Sequence, residues 1–199
     1  MSNEIVKSVI SASKYVFDRK LVSGLAGNVS GRFPDEEEGD IIAITPTLTP
    51  LTSVNKKNVV LVGIDGEILS KGKPSSEINM HLEIYKKNKN VNGIVHTHSP
   101  YATGFAFSDK KIKRLEGFGG IKEEYLSEVE YSKPGSIELA NNCSEKLIKE
   151  DVVILKSHGV VATGVNPQEA AFLAEFVEEI AKTQFITQQL QKWVKNSKF

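Results

Sequence analysis

Two histidines one residue apart, His96 and His98, lie in the run Asn92-Gly-Ile-Val-His96-Thr-His98-Ser-Pro100. Ile94-Val95-His96-Thr97 is rich in β-branched residues and bounded by Gly93 and Pro100, which predicts a short strand. Side chains alternate between the faces of a strand, so His96 and His98 point the same way, about 7 Å apart along the backbone. Two imidazoles so placed at a strand end can converge on one divalent ion. An isolated His-x-His is also what a half-exposed strand shows, so the weight falls on the other polar motifs. Asp151-Val-Val-Ile-Leu-Lys156 reads as a buried strand that delivers Ser157-His158-Gly159 at its end. A third imidazole would close a site with an open position, the arrangement of a catalytic divalent metal. Zinc suits imidazole donors best, with manganese, cobalt or iron as alternatives, and no cysteine contributes as it would to a structural zinc site.

A carboxylate stands among the remaining motifs. Lys73-Pro74-Ser75-Ser76-Glu77 opens a helix running to about Asn88, with Ile78, Leu82 and Tyr85 facing inward. The two serines are N-cap candidates, and Glu77 in the first turn complements the helix dipole. Ordinary capping accounts for such a sequence; a helix start flanked by hydroxyls is equally a ready anion site. His81, one turn beyond Glu77, reads as a helix-surface or packing residue rather than a ligand. A Lewis-acidic metal beside a carboxylate can abstract a proton next to a carbonyl, or cleave a carbon–carbon bond through an enediolate.

The elements that must position these groups follow from pattern. Residues 3–20 form an amphipathic helix with Ile5, Val9, Ala12 and Val16 on one stripe, widened by Ile10 and Phe17. Gly24-Leu-Ala-Gly27-Asn28-Val-Ser30-Gly31-Arg32-Phe33 is a small-residue turn that lets backbone approach a ligand, with Asn28 and Ser30 as hydrogen-bonding groups. Asp35 to Asp40 is an acidic hairpin tip, Ile41 to Thr45 a buried strand, and Val59 to Val62 another, paired through Asp65-Gly66 with Glu67-Ile-Leu. A helix starts at Ser99, and Leu115 to Ile121 is a Gly-rich loop. Ser136 caps a helix to about Glu150, and Asn166-Pro167-Gln-Glu169 is a capping box opening a long helix. That helix carries Ala170, Leu173, Val177, Ile180 and Ala181 inward, and from Gln184 the tail turns polar with Trp193 and Phe199 as isolated anchors.

The 199 residues fit a single domain, with Lys plus Arg equal to Asp plus Glu at 25 each. That balance argues against nucleic acid as a partner, and no apolar run is long enough to span a membrane. Met1-Ser-Asn-Glu-Ile lacks the basic and apolar regions of a signal peptide. A single Cys143 inside a helical pattern, read as a small buried residue, suits a reducing cytoplasm.

Gly27-Asn28-Val29-Ser30-Gly31-Arg32, Ile44-Thr45-Pro46-Thr47, Pro74-Ser75-Ser76-Glu77, His96-Thr97-His98 and His158-Gly159-Val160 occur in the order and spacing of the class II aldolase/adducin-like family. The resemblance runs from about residue 5 to residue 185 and is nearest to the family's fuculose-phosphate aldolase branch. It implies a three-layer α/β/α fold around a mostly antiparallel sheet, and a cytoplasmic homotetramer with active sites between subunits. It also implies a zinc-dependent aldehyde-lyase of carbohydrate metabolism, with manganese or cobalt as other ions. Such an enzyme cleaves a ketose phosphate resembling L-fuculose 1-phosphate into dihydroxyacetone phosphate and an aldehyde, through an enediolate that the metal stabilises. Position by position, His96, His98 and His158 match the metal ligands and Glu77 the acid/base. Asn28, Thr47, Ser75 and Ser76 match positions that hold the substrate phosphate.

Two positions depart from the pattern. Leu48 stands where the family usually has glycine, so a positive φ there would be costly. Fuculose-phosphate aldolases carry a tyrosine about twenty residues after the first ligand histidine, where this chain has Gly117 and Phe118; Tyr125 and Tyr131 are nearest, Tyr131 reading as a sheet position. Within the family, pentulose-phosphate 4-epimerases carry Asp at the position of Glu77. Methylthioribulose-phosphate dehydratases tend to carry Ala at that of Ser76 and use a downstream acid/base, for which Glu116, Glu123 and Glu124 are candidates. A non-catalytic adducin-like interaction module would have no need of three convergent imidazoles.

Overall fold

The computed structural model describes residues 2–34, 39–115 and 123–196. In chain order the elements are α1 (Ser2–Asp18), β1 (Asn28–Phe33), β2 (Ile41–Ile44), a 3-10 turn (Leu51–Ser53), β3 (Val60–Gly63), α2 (Ile78–Lys87) and β4 (Gly93–Thr97). They continue with α3 (Pro100–Ala106), β5 (Ser127–Val129), α4 (Ile137–Lys146), β6 (Val152–Leu155), β7 (Gly159–Gly164) and α5 (Pro167–Asn196). The described strands form one sheet in the order β3-β2-β1-β4-β7-β6-β5. Its pairs are antiparallel except β5 with β6.

Period-two alternation gives this sheet two apolar faces, and helices cover both. Val29, Ala43, Val95, Val152, Ile154, Val160 and Ala162 pack with α1, α3 and α5. Their strand neighbours Ile42, Ile94, Val153, Leu155 and Val161 pack against α2 and α4 on the other side. The result is the expected three-layer α/β/α arrangement. Ser136 caps α4 through the Leu139 N–H at 3.1 Å, and Asn166 caps α5 through the Glu169 N–H at 2.9 Å. Cys143 is buried in α4, as expected.

Alternation also decides which side the chemistry lies on. In the β1–β4 pairing Asn28 faces His96 and Ser30 faces Ile94, so all four project toward α2. Gly93 lets α5 begin directly against β4, since a Cβ there would stand 2.1 Å from the Asn166 carbonyl carbon.

Several boundaries differ from the sequence reading. Glu77 itself occupies the N-cap position of α2, and neither serine side chain caps it; Ser75 Oγ accepts only the Glu77 N–H, at 3.3 Å. Glu67-Ile-Leu contributes an isolated bridge, Val62 with Ile68, rather than a strand. Tyr131 lies beyond β5, 60% exposed, because the sheet edge ends at Val129. Helix α4 stops at Lys146, short of Glu150. The tail after Gln184 continues α5 to Asn196, since its Gln, Lys and Leu residues sustain a helix, with Phe185 packed against the Tyr101 ring at 5.7 Å. Phe17 turns outward, away from the stripe it was expected to widen. The acidic tip at residues 35–38, Glu116, Gly117, Phe118 and the rest of the Gly-rich loop through Ile121, and Phe199 lie outside the described residues.

Candidate metal centre and active site

Each of the three strand-end histidines is positioned by backbone. His96 is the penultimate residue of β4, wholly buried, and His98 follows one residue past the strand. His158 sits in the tight turn joining β6 to β7, where Leu155 and Gly159 pair directly. That turn places Ser157 at φ 55°, held by its N–H to the Ala106 carbonyl at 2.9 Å, a conformation that L-residues adopt at a cost. Gly159 brings β7 against β4: a Cβ there would stand 2.3 Å from the Thr97 carbonyl oxygen.

The rings converge. Centroids of His96 and His98 lie 4.7 Å apart, those of His96 and His158 4.7 Å, and those of His98 and His158 5.0 Å. One nitrogen of each lies within 4.8 Å of the others, and Nε2 of His96 faces Nε2 of His98 at 2.9 Å. Around a tetrahedral ion with bonds of about 2.0–2.1 Å, ligand nitrogens stand roughly 3.4 Å apart, so the spacing fits one ion. His96 Nδ1 donates to the Val160 carbonyl at 2.9 Å, which fixes the tautomer and leaves Nε2 bare toward the centre. Burial pushes the pKa values of His98 to about 3 and His158 to about 4, so both are neutral donors at ordinary pH. Such a donor set suits zinc first.

Glu77 closes the fourth side. Its Oε2 lies 3.3 Å from His96 Nε2 and its Oε1 3.6 Å from His158 Nε2. Burial alone would raise this carboxyl. The neighbouring His96 and His158 and the hydrogen bond from Asn28 outweigh that and hold it below its ordinary value. Glu77 Oε1 is buried with no hydrogen bond among the described residues, an oxygen aimed at whatever occupies the centre. An open cavity of about 620 Å³ adjoins His98, lined by Phe17, Lys20, Val22, Ser23, Gly24 and Pro100.

The remaining sequence candidates lie on the loops around α2. The Thr47 N–H bonds the Lys73 carbonyl at 3.1 Å, the Ser75 N–H bonds the Thr45 carbonyl at 3.0 Å, and Pro46 bridges Pro74. This short antiparallel ladder sets Thr47 opposite Lys73 and Ser75 opposite Thr45. Ser76 is exposed and Thr47 half-buried, whereas Ser75 is buried. Asn28 is buried with its amide committed to Glu77 and His81, and keeps one Nδ2 hydrogen for another acceptor. Leu48, at φ 53°, adopts the strained conformation that a glycine would take freely, with its side chain 78% exposed. Glu123 and Glu124 are exposed, Glu124 paired with Lys113 at 3.1 Å.

His81, read as a helix-surface or packing residue rather than a ligand, proves to be a packing residue. It is wholly buried, not on the helix surface, and bonds Asn28 and Ser30. The signal was there in spacing: Glu77, His81 and Tyr85 recur every four residues on one helix face.

Comparison with known proteins gives the family and the fold. The family model "Class II Aldolase and Adducin N-terminal domain" matches residues 7–185. A protein of Methanococcus maripaludis described as L-fuculose phosphate aldolase is 40% identical over 182 residues, 92% of this chain and 97% of that protein. A 3-oxo-tetronate 4-phosphate decarboxylase of Haemophilus influenzae is 31% identical over 189 residues, 92% of this chain and 88% of that protein. Among solved structures, a sugar-phosphate aldolase from Thermotoga maritima superposes with a TM-score of 0.78 at 27% identity, covering 95% of this chain and 97% of that one. A structure described as L-fuculose 1-phosphate aldolase gives a TM-score of 0.83 at 26% identity, covering 96% and 89%.

Proposed function

The chain belongs to the class II aldolase and adducin family, and from that premise we propose that it is a zinc-dependent aldehyde-lyase. It cleaves a ketose 1-phosphate resembling L-fuculose 1-phosphate into dihydroxyacetone phosphate and an aldehyde. One observation carries the reading: a buried carboxylate, Glu77, stands 3.3 Å from the nearest of three convergent imidazoles. A non-catalytic adducin-like module needs neither.

His96, His98 and His158 would hold the ion, which supplies a Lewis acid for the substrate's carbonyl oxygen. In cleavage Glu77 takes the hydroxyl proton released as the aldehyde forms and delivers it to the adjacent carbon; in condensation it removes that carbon's proton. Its depressed pKa keeps it ionised at neutral pH, ready to accept. Thr47, Ser75, Ser76 and the free hydrogen of Asn28 bind the phosphate beside the N-terminus of α2, where the helix dipole favours an anion. The cavity beside His98 receives the aldehyde end. By its resemblance to the family we take the working form to be a cytoplasmic homotetramer with active sites between subunits.

The test is a substrate screen. Zinc-loaded protein is offered fuculose, rhamnulose, ribulose, 5-deoxyribulose and methylthioribulose 1-phosphates, scoring dihydroxyacetone phosphate release, and 3-oxo-tetronate 4-phosphate, scoring carbon dioxide. Release of dihydroxyacetone phosphate by the native protein, reduced about 10²–10⁴-fold in Glu77→Gln with the ion retained, is expected. Turnover of 3-oxo-tetronate 4-phosphate alone, giving carbon dioxide together with dihydroxyacetone phosphate while the ketose 1-phosphates stay intact, would replace the aldolase reading by a decarboxylase, the activity named for the relative from Haemophilus influenzae. Full turnover in Glu77→Gln would remove the role given to Glu77.

A further inference from the structure

A buried chain of polar groups leads away from Glu77 into the layer between β1 and α2. Asn28 Nδ2 lies 2.9 Å from Glu77 Oε2, and Asn28 Oδ1 lies 2.5 Å from His81 Nε2. His81 Nδ1 lies 2.6 Å from Ser30 Oγ, which lies 2.8 Å from the Tyr85 hydroxyl. Strand alternation supplies Asn28 and Ser30, and the four-residue helical repeat supplies Glu77, His81 and Tyr85. All five side chains are buried.

The direction of every hydrogen in this chain follows from its end. An ionised carboxylate only accepts, so the Asn28 amide donates to Glu77 and its carbonyl oxygen is left to accept. His81 Nε2 therefore carries a hydrogen. Burial keeps the ring neutral, with its pKa pushed down to about 3, so Nδ1 is bare and accepts from the Ser30 hydroxyl. Ser30 in turn accepts from Tyr85, whose ring lies 5.3 Å from the guanidinium carbon of the buried Arg32. Arg32 is itself fixed by the Tyr85 carbonyl at 3.0 Å and by Asn92 at 3.1 Å. Each donor points toward Glu77, and aligned hydrogen bonds of this kind strengthen one another.

We propose that Tyr85, Ser30, His81 and Asn28 form a one-way donor chain that pins Glu77 Oε2 and leaves Oε1 as the oxygen that exchanges a proton with substrate. Among the described residues Oε1 has no hydrogen bond, whereas Oε2 is held by Asn28. His81, Ser30 and Tyr85 are positioning residues. The inference rests on Glu77 being the proton carrier, and it names which of its atoms acts and what holds the other.

The experiment has two arms. Nitrogen-15 NMR of the native protein, recorded with and without zinc, reads the His81 tautomer directly and should show the hydrogen on Nε2 in both. In kinetics, His81→Leu should lower kcat about 10–100-fold with KM little changed, the usual scale for losing a group that orients a reacting one. His81→Gln, whose amide nitrogen reaches the position of Nε2, should recover most of that loss. Zinc content of about one ion per chain should hold throughout. A hydrogen on Nδ1 overturns the proposal, as does kcat within threefold in His81→Leu while Glu77→Gln is inactive. If Glu77→Gln is also fully active, the underlying role of Glu77 fails instead. Should His81→Leu not fold, the tautomer measurement decides alone.

Discussion

Replacing Leu48 by glycine tests the strained loop beside α2. At φ 53° a Cβ crowds the backbone, and the left-handed conformation costs an L-residue roughly 1–2 kcal/mol. The loop has no easy way to relax, because the preceding Thr47 is tied to Lys73 by its N–H at 3.1 Å and to Thr49 Oγ1 by its carbonyl at 3.2 Å. Glycine relieves the strain but loses about 0.5–1 kcal/mol through the greater freedom of the unfolded chain. Little burial is forfeited, since the Leu48 side chain is 78% exposed. The balance is a gain of about 0.5–1 kcal/mol, which for a chain of this size raises Tm by about 1–4 °C. Urea unfolding at constant m-value and a thermal scan measure it. A midpoint lowered by the equivalent of ~0.5 kcal/mol or more would refute the strain argument and mean that the leucine side chain is held by contacts that stabilise it. The same variant should change KM for a phosphorylated substrate more than kcat, as a uniform binding contact does. Dihydroxyacetone binding to the native protein as tightly as its phosphate would remove the phosphate site from this loop.

Two further outcomes follow from the site. His96→Ala removes the buried central ligand, and elemental analysis should find its zinc occupancy lost; full occupancy would sink the three-histidine assignment. For pH, His81 has a folded pKa near 3 against about 6.5 unfolded, so the unfolded chain binds the extra proton between those values. Stability should therefore be fully present above pH ~6.5 and fall as pH drops toward 3, by on the order of 4 kcal/mol from this group. Urea midpoints of the metal-free protein between pH 7 and pH 4 should decline less steeply in His81→Gln, and an unchanged slope would refute the attribution.

The strand-end histidines were legible in sequence because their placement rests on local periodicity, whereas the three-layer α/β/α order came from the resemblance to the family. Alternation put His96 and His98 on one side of a strand, the run from Val152 to Leu155 announced a buried strand ending near His158, and Ser136 and Asn166 marked helix starts. The left-handed backbone at Leu48 was foreseeable as a cost, since only its side chain departs from a glycine pattern. Three things needed the tertiary structure. Whether three distant imidazoles meet depends on β4 pairing with β7, a register set by long-range contacts that no local pattern encodes. The cap of α2 fell on Glu77 rather than on a serine because Ser75 is held in an extended ladder with Thr45. His81 looked like a surface or packing residue because periodicity reports a face and not what lies opposite it. Only the approach of β1 sets Asn28 and Ser30 against that face, and a buried imidazole must bond both its nitrogens to whatever it meets there.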